Sequence, residues 1–486
     1  MSHTVGIDVG TSAVKGLAVD ERGAVVGRAQ AEYPLLTPRP GWAEQDPEDW
    51  WRATCSVLTR LGDLSGTPTA IGLSGQMHGL VALDGAGAVL RPAILWNDQR
   101  TGAECHLIED LVGRERLISL TGNGALPGFT APKLLWLRSH EPEVWRRMRR
   151  LALPKDYVRL RLCGEHATDV SDASGTLLLD VAGRRWSEDV LDALELDPAW
   201  LPRVLESPVV SGVTAAGGPV AAGIPVAAGA GDQAAAALGV GVDRPGPLSI
   251  VLGTSGVVFA ALDAFATDPH GRLHAFCHAT PAGWHVMGVV LSAAGSLRWL
   301  RDVTAPGVPY DELTAAAAAW APGVEGLLFA PYLAGERTPH PDPEARGMFA
   351  GLSIRHDRGA LVRAVLEGVA FALRDSLDLI ASLAQRPPLG RVSGGGATST
   401  LWLAIIASVL ELPLERVADD EGAAFGAAIL AGVAAGTWRD VHAAVAATVR
   451  PRELIEPVDE WVEAYRVHRS RYRAMYPMMR RLSGGR

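Results

Sequence analysis

Apolar residues in this chain fall into short runs closed by glycine, threonine or serine, and the runs recur in two sets. Val5-Gly6-Ile7-Asp8 reads as a first strand. The segment DVGTSAVKGLAV (8–19) is matched by VLGTSGVVFAAL (251–262). In each, a strand ends in Gly-Thr-Ser and a second follows at once, which predicts a β-hairpin with a small-residue turn. Two further pairs follow in the same order. IGLSGQ (71–76) resembles GRVSGGG (390–396), each a strand leading into Ser-Gly, and GAGDQAAAALGVG (229–241) resembles DEGAAFGAAILAGV (420–433), each a turn opening an Ala-rich helix. Three matched elements in one order predict two similar halves. The two prolines and the glycine in Val242–Pro247 interrupt any helix or central strand, so the halves divide there, as 1–243 and 244–486. Each half mixes short strands with helices, so the class is α/β. Asp46 followed by Pro47 predicts a helix start, running to Gly62 with Trp50, Trp51 and Leu58 partly buried. Val458–Leu482 reads as one amphipathic helix.

At 486 residues the chain suits two domains better than one core. Hydrophobic residues make up 48% and charged residues 20%, a globular composition. A net charge of −9 speaks against a nucleic-acid partner. No apolar run reaches the ~20 residues of a membrane span, and no basic, then apolar leader precedes Val5. The four cysteines, Cys55, Cys105, Cys163 and Cys277, lie far apart, without metal-site or disulfide spacing. The expectation is a cytoplasmic protein with reduced thiols.

The repeated Gly-Thr-Ser turns carry the first candidate chemistry. Glycine lets the backbone approach an anion, hydroxyls add donors, and successive amides form a nest. One such hairpin is an ordinary tight turn; two facing copies point to phosphate. There is no Walker Gly-x4-Gly-Lys-Ser/Thr run, and no His-Arg-Asp or Asp-Phe-Gly of a protein kinase. The repeats also differ usefully. Asp8 corresponds to Val251, and Asp232 to Glu421 or Gly422, so only the first half carries these carboxylates. Asp232 is a candidate general base or a helix N-cap. Asp8 is a candidate Mg2+ ligand or a turn former. Ser393 to Thr398, with Gly394, Gly395 and Gly396, offers backbone to a nucleotide at a helix N-terminus, or is a flexible turn. Gln76-Met77-His78-Gly79 and Trp96-Asn97-Asp98-Gln99-Arg100 supply donors and acceptors suited to a polyol; Asp98 and Arg100 equally suit a structural ion pair.

These residues resemble the FGGY carbohydrate kinases along nearly the whole chain. The likeness runs through GIDVGTS (6–12), GWAEQDPEDWW (41–51), SGQMHG (74–79), PAILWNDQR (92–100), PGFTAPKLLWL (127–137), LPKDY (153–157), GAGDQ (229–233), LGTSGV (252–257), PYLAGERTPH (331–340), ALVRAVLEGVAFAL (360–373) and SGGGA (393–397). The Gln76–Gly79 and Trp96–Asp98 runs look like the members that act on xylulose, not those that act on glycerol. The resemblance implies two actin-like, ribonuclease-H-like domains around a cleft, with sugar on the first and ATP on the second. It implies Asp232 as catalytic base, and Met77, His78, Asp98 and Gln233 as sugar contacts; Mg2+ at Asp8 stays a candidate. Thr11, Ser12, Thr254 and Ser255 would face the phosphates, and Gly394, Gly395, Gly396 and Thr398 the nucleotide. Gln233 departs from the family's usual Asn, and Thr398 from a larger polar or basic residue. The expected reaction is ATP-dependent phosphorylation of D-xylulose by a homodimer. The rivals are kinases for ribulose, gluconate or glycerol, and a non-catalytic actin-like nucleotide switch. A gluconate site would need extra cations, and none stands out near Met77-His78 in the sequence.

Overall fold

The computed structural model describes residues 2–418 and 422–482. Both Gly-Thr-Ser segments form the expected hairpins, each at the centre of a mixed seven-stranded sheet. In the first sheet β1 (His3–Val9) pairs antiparallel with β2 (Ala13–Asp20), and β2 with β3 (Val25–Glu32). On the other side of β1 lie β4 (Ile71–Gly75), parallel to it, and then β6 (Pro225–Ala227), with β5 (Val210–Val213) antiparallel at the edge. The second sheet repeats this plan. Its hairpin is β7 (Leu248–Leu252) and β8 (Gly256–Leu262), extended by β10 (Trp284–Val290) and β9 (His274–Cys277). Beyond β7 come β11 (Gly390–Ser393) and β12 (Leu414–Val417), both parallel, and antiparallel β13 (Pro451–Ile455). Six strands match in direction and order of pairing from the hairpin outward, and the seventh differs: β9 at the edge of the second sheet against Ala230–Gly231 beside β4 in the first.

Helix α1 (Pro47–Ser65) begins where Asp46 accepts from the Glu48 amide, with Trp50 and Leu58 buried and Trp51 half-buried. Two Ala-rich helices, α2 (Asp232–Gly239) and α3 (Gly422–Ala434), pack on one another. They are so close that a Cβ on Gly426 would lie 1.9 Å from the Ala235 carbonyl oxygen. Helix α3 comes from the second half of the chain yet covers the first half's sheet. A Cβ on Gly72 of β4 would lie 1.9 Å from the Ala427 carbonyl oxygen, so only glycine permits this approach. The C-terminal segment is two helices, Asp459–Arg473 and Met475–Leu482, where the pattern predicts one. Pro477 explains the break: its ring clashes with the carbonyl four residues earlier, at Arg473, and it has no N–H to continue the ladder.

Candidate active site

The C-terminal ends of three neighbouring strands place the two candidate carboxylates together. Asp8 sits near the end of β1, opposite Ser74 of β4, and the short strand Ala230–Gly231 pairs with β4 at Ser74 and Gly75. Asp8 is half-buried, and its Oδ1 is shut off from solvent with no hydrogen-bond partner among the described residues. Burial pushes its pKa from 3.8 up to about 6, against the pull of the Lys15 charge. Asp232 occupies the first position of α2, one residue past the cap residue Gly231, so it does not stand at the N-cap position itself. Burial, and then the neighbouring negative charge of Asp8, raise Asp232 from 3.8 to about 7; the backbone and side-chain donors of Gln233 oppose the rise.

A buried ionic set fixes the turn that carries Asp232. The Gly231 amide donates to Ser171 Oγ (3.1 Å), and Ser171 Oγ donates to Asp169 Oδ1 (2.5 Å). Lys155 Nζ sits 2.6, 2.8 and 3.0 Å from Asp156, Asp169 and Asp172, all fully buried. Arg159 donates to the Ala228 carbonyl. With so many partners the turn has little freedom to drift, which is what a base that must meet one hydroxyl requires.

Past β4 the chain runs into Met77 and His78. Met77 is buried against the Asp232 turn: a Cβ on Gly231 would lie 2.9 Å from its Sδ. His78 has a left-handed backbone, φ 69°, unusual for a side chain of its size. Its carbonyl is held by Lys133 Nζ (2.8 Å) and Thr130 Oγ1 (3.1 Å). Its Nδ1 lies 2.6 Å from the Gly175 carbonyl, which requires the proton on Nδ1 and leaves Nε2 an acceptor. Burial drives its pKa down to about 3, aided by Lys133 and Arg337, so the ring is neutral. His78 lines a small pocket with Trp96, Leu126, Gly128, Phe129 and Arg337.

Asp98 stands apart from that pocket. It is fully buried, accepts from the Ala43 amide (2.7 Å), and is bridged by Arg100 Nε (2.9 Å) and Nη2 (2.7 Å), which stacks on Trp42. Of the two readings of Asp98, the ion pair is the one seen here. Thr11 is likewise engaged. Its hydroxyl accepts from Trp96 Nε1 (3.0 Å) and reaches Gln76 Oε1 (3.3 Å), and its carbonyl accepts from Gln45 Nε2 (2.7 Å). These bonds tie the first hairpin turn to Gln45, Gln76 and Trp96, while Ser12 is exposed at that turn.

In the second half, the Thr254 carbonyl accepts from Ala293 N (2.8 Å) and Gly295 N (3.1 Å), which leaves the exposed Thr254 side chain and Ser255 on the turn. Gly394 turns with φ 85°, a conformation that favours glycine. Thr254, Gly395, Gly396 and Thr398 line a cavity of about 710 Å³ whose far wall includes Arg298 and Tyr310. That volume suits a nucleoside-sized ligand. Thr398 Oγ1 donates back to Gly395 (2.8 Å), and Ser399 accepts from Trp402 N to cap Thr400–Leu410. Glu421, one of the two positions matched to Asp232, lies outside the described residues.

Two family models match the chain: the N-terminal domain of the FGGY family of carbohydrate kinases over residues 3–239, and its C-terminal domain over 248–435. The chain belongs to the FGGY family of carbohydrate kinases. This FGGY kinase is 43% identical to the xylulose kinase of Escherichia coli (strain K12) over 98% of its own length and 99% of that protein's. It superposes on the crystal structure of a xyloylose kinase from Brucella ovis with TM-score 0.92 and 41% identity, covering 99% and 100% of the two chains. A gluconate kinase from Lactobacillus acidophilus also superposes, with TM-score 0.93, 25% identity and 98% coverage of both chains. The α/β architecture is thus the two-domain FGGY fold with its cleft. Among the described residues no helix is long and apolar enough to cross a membrane, no cluster of three or more His, Cys, Asp or Glu forms a metal cage, and all four cysteines are free.

Two FGGY kinase residues at the site were not singled out from the sequence. Lys133 and Arg337 lie in quoted motifs, but local patterns do not place either beside His78.

Proposed function

We propose that this kinase transfers the γ-phosphoryl group of ATP to the C5 hydroxyl of D-xylulose, giving D-xylulose 5-phosphate and ADP. The observation that carries the reading is Asp232, poised near neutrality at about 7 beside Asp8 and next to the Met77–His78 wall. The relatives named xylulose kinase support the choice of sugar. The terminal hydroxyl meets Asp232, which accepts its proton as the oxygen attacks phosphorus and the bond to the β-phosphate oxygen breaks. Neutral His78 accepts a sugar hydroxyl through Nε2, while Met77 packs against the carbon chain. The amides and hydroxyls of Thr11-Ser12 and Thr254-Ser255 face the phosphates from the two turns. Gly394, Gly395, Gly396 and Thr398 receive the nucleotide in the large cavity. Asp8 fits Mg2+, because its buried Oδ1 has no other partner and Mg2+ takes one or two carboxylates plus phosphate oxygens. When bound, that ion supplies charge neutralisation on the phosphates. The enzyme belongs in the cytoplasm, where ATP is available, and works as a homodimer.

The test is ADP release over a panel of D-xylulose, D-ribulose, xylitol, glycerol and D-gluconate. D-Xylulose should show the highest kcat/KM. Faster turnover of glycerol or gluconate would overturn the substrate assignment.

A further inference from the structure

Arg337 belongs to the second half of the chain, yet it lines the pocket whose other walls, His78 and Trp96 among them, come from the first. Its backbone is fixed on both sides. Glu336 Oε1 accepts from the Leu291 amide (3.0 Å) and from Arg337's own amide (2.7 Å). Thr338 bonds Val289 through both its amide and its hydroxyl, at 3.1 Å each. The guanidinium held by this clamp makes no hydrogen bond or ion pair with any described residue. Its neighbour Glu336 does not neutralise it, because burial raises that carboxyl to about 8 and keeps it protonated at neutral pH. An arginine carries five donors in a planar fork and is always charged. Here its donors face a pocket whose one other committed group, His78 Nε2, is an acceptor. Met77 packs against the Asp232 turn, and the next residue along the chain, His78, lines this pocket together with Arg337.

We propose that Arg337 is a specificity-determining residue that binds an acceptor-only oxygen at the end of the sugar remote from Asp232: the C2 carbonyl of a ketopentose, or the carboxylate of the matching five-carbon aldonate. This rests on the reading that D-xylulose is the substrate. A carbonyl accepts from the guanidinium with nothing left over. The C2 hydroxyl of xylitol accepts equally but adds a proton for which the guanidinium has no acceptor. A carboxylate pairs with the fork bidentately, so D-xylonate should occupy the pocket as a competitive inhibitor.

The experiment compares wild type with R337M and R337K. Replacing Arg337 by Met should lower kcat/KM for D-xylulose by about 10- to 100-fold, the range for losing a hydrogen bond to a charged donor, with the ATP KM within twofold. The same change should narrow the preference for D-xylulose over xylitol and abolish competitive inhibition by D-xylonate, and R337K should restore part of both. A merely structural arginine would lower stability without moving the sugar preference. An unchanged preference and unchanged inhibition in R337M overturn the proposal, as does a wild-type enzyme indifferent to D-xylonate. Should R337M fail to fold in a thermal melt, R337K alone decides by the same two readouts. Should the wild type turn out to prefer another sugar, calorimetric titration of D-xylonate into wild type and R337M without ATP still tests Arg337 separately from the substrate reading.

Discussion

Asp232→Asn removes the basic oxygen while keeping size and shape, and the surroundings of Asp232 set what should follow. A carboxylate raised from 3.8 to about 7 is a base matched to neutral pH, so kcat/KM of the wild type should climb about tenfold per unit below pH ~7 and level off above it. Asn cannot take the proton. In a loose transition state the hydroxyl proton leaves late, so the loss in kcat is on the order of 10²–10⁴ rather than total, and the residual rate should lose the pH step near 7. Stability should move the other way. A carboxyl whose pKa is raised on folding stabilises the fold fully below its unfolded value and loses that contribution as pH rises through the folded value. The window is therefore pH 4 to 7. A rise of roughly three units bounds the effect at about 4 kcal/mol, shared with Asp8, which repels the same charge. Asp232→Asn should melt above wild type at pH 8 and level with it at pH 4. Steady-state kinetics and melts across pH 4–9 check both halves. An Asn variant near wild-type rate, or one less stable than wild type at pH 8, would refute the reasoning.

Two further outcomes follow from contacts elsewhere in the site. His78→Ala should raise the sugar KM by about tenfold, the upper range for one neutral hydrogen bond, and leave the ATP KM alone; a sugar KM unchanged in steady-state assays would return His78 to a packing role. Gly395→Ala and Gly72→Ala form a contrasting pair, because a Cβ at Gly395 meets nothing within 4 Å while one at Gly72 lies 1.9 Å from a carbonyl oxygen. The first should keep the wild-type melt and raise the ATP KM, and the second should lose about 1–3 kcal/mol or more of stability by overpacking.

Local chemistry made much of this legible in the sequence. The Gly-Thr-Ser turns dictate hairpins because small residues there have few alternatives, and Asp46-Pro47 marks a helix start that needs no tertiary help. The matched order of three segments predicted two halves, and strand pairing from β1 and β7 outward follows one plan. What stayed hidden depends on contacts distant in sequence. The lodging of α3 on the first half's sheet rests on Gly72 meeting Ala427, and a glycine in a strand does not name what approaches it. Asp98 offered two roles at equal spacing, and the stacking of Arg100 on Trp42 is what favours the ion pair. Arg337 was visible within GERTPH, but only the folding of the second half's chain against His78 makes it part of that pocket. Pro477 was visible too; the apolar period across it outweighed a breaker that in fact divides the helix.

The duplicated plan also separates what the fold needs from what the chemistry needs. At the position of Asp8 the second sheet carries Val251, in the same hairpin and with the same neighbouring parallel strand. A carboxylate is therefore no requirement of this turn, and one with a buried, unpartnered oxygen opposes stability. Its presence in one half only makes sense as function. The same holds in reverse for Arg337, whose guanidinium makes no hydrogen bond or ion pair among the described residues. The first half carries acceptors and negative charge at Asp8, Asp232 and His78 Nε2. The second brings donors and positive charge at Thr254, Ser255 and Arg337. Neither set is balanced alone. A sugar bearing both hydroxyl and carbonyl, together with a polyanionic phosphate chain, complements them both at once. Ligands that bridge opposite charges favour the closed arrangement over the open one, and closure excludes the water that would otherwise accept the phosphoryl group. The expectation is that ligands bridging the two halves draw the cleft shut, which small-angle scattering with D-xylulose and a non-hydrolysable ATP analogue should read as a smaller radius than the free protein's.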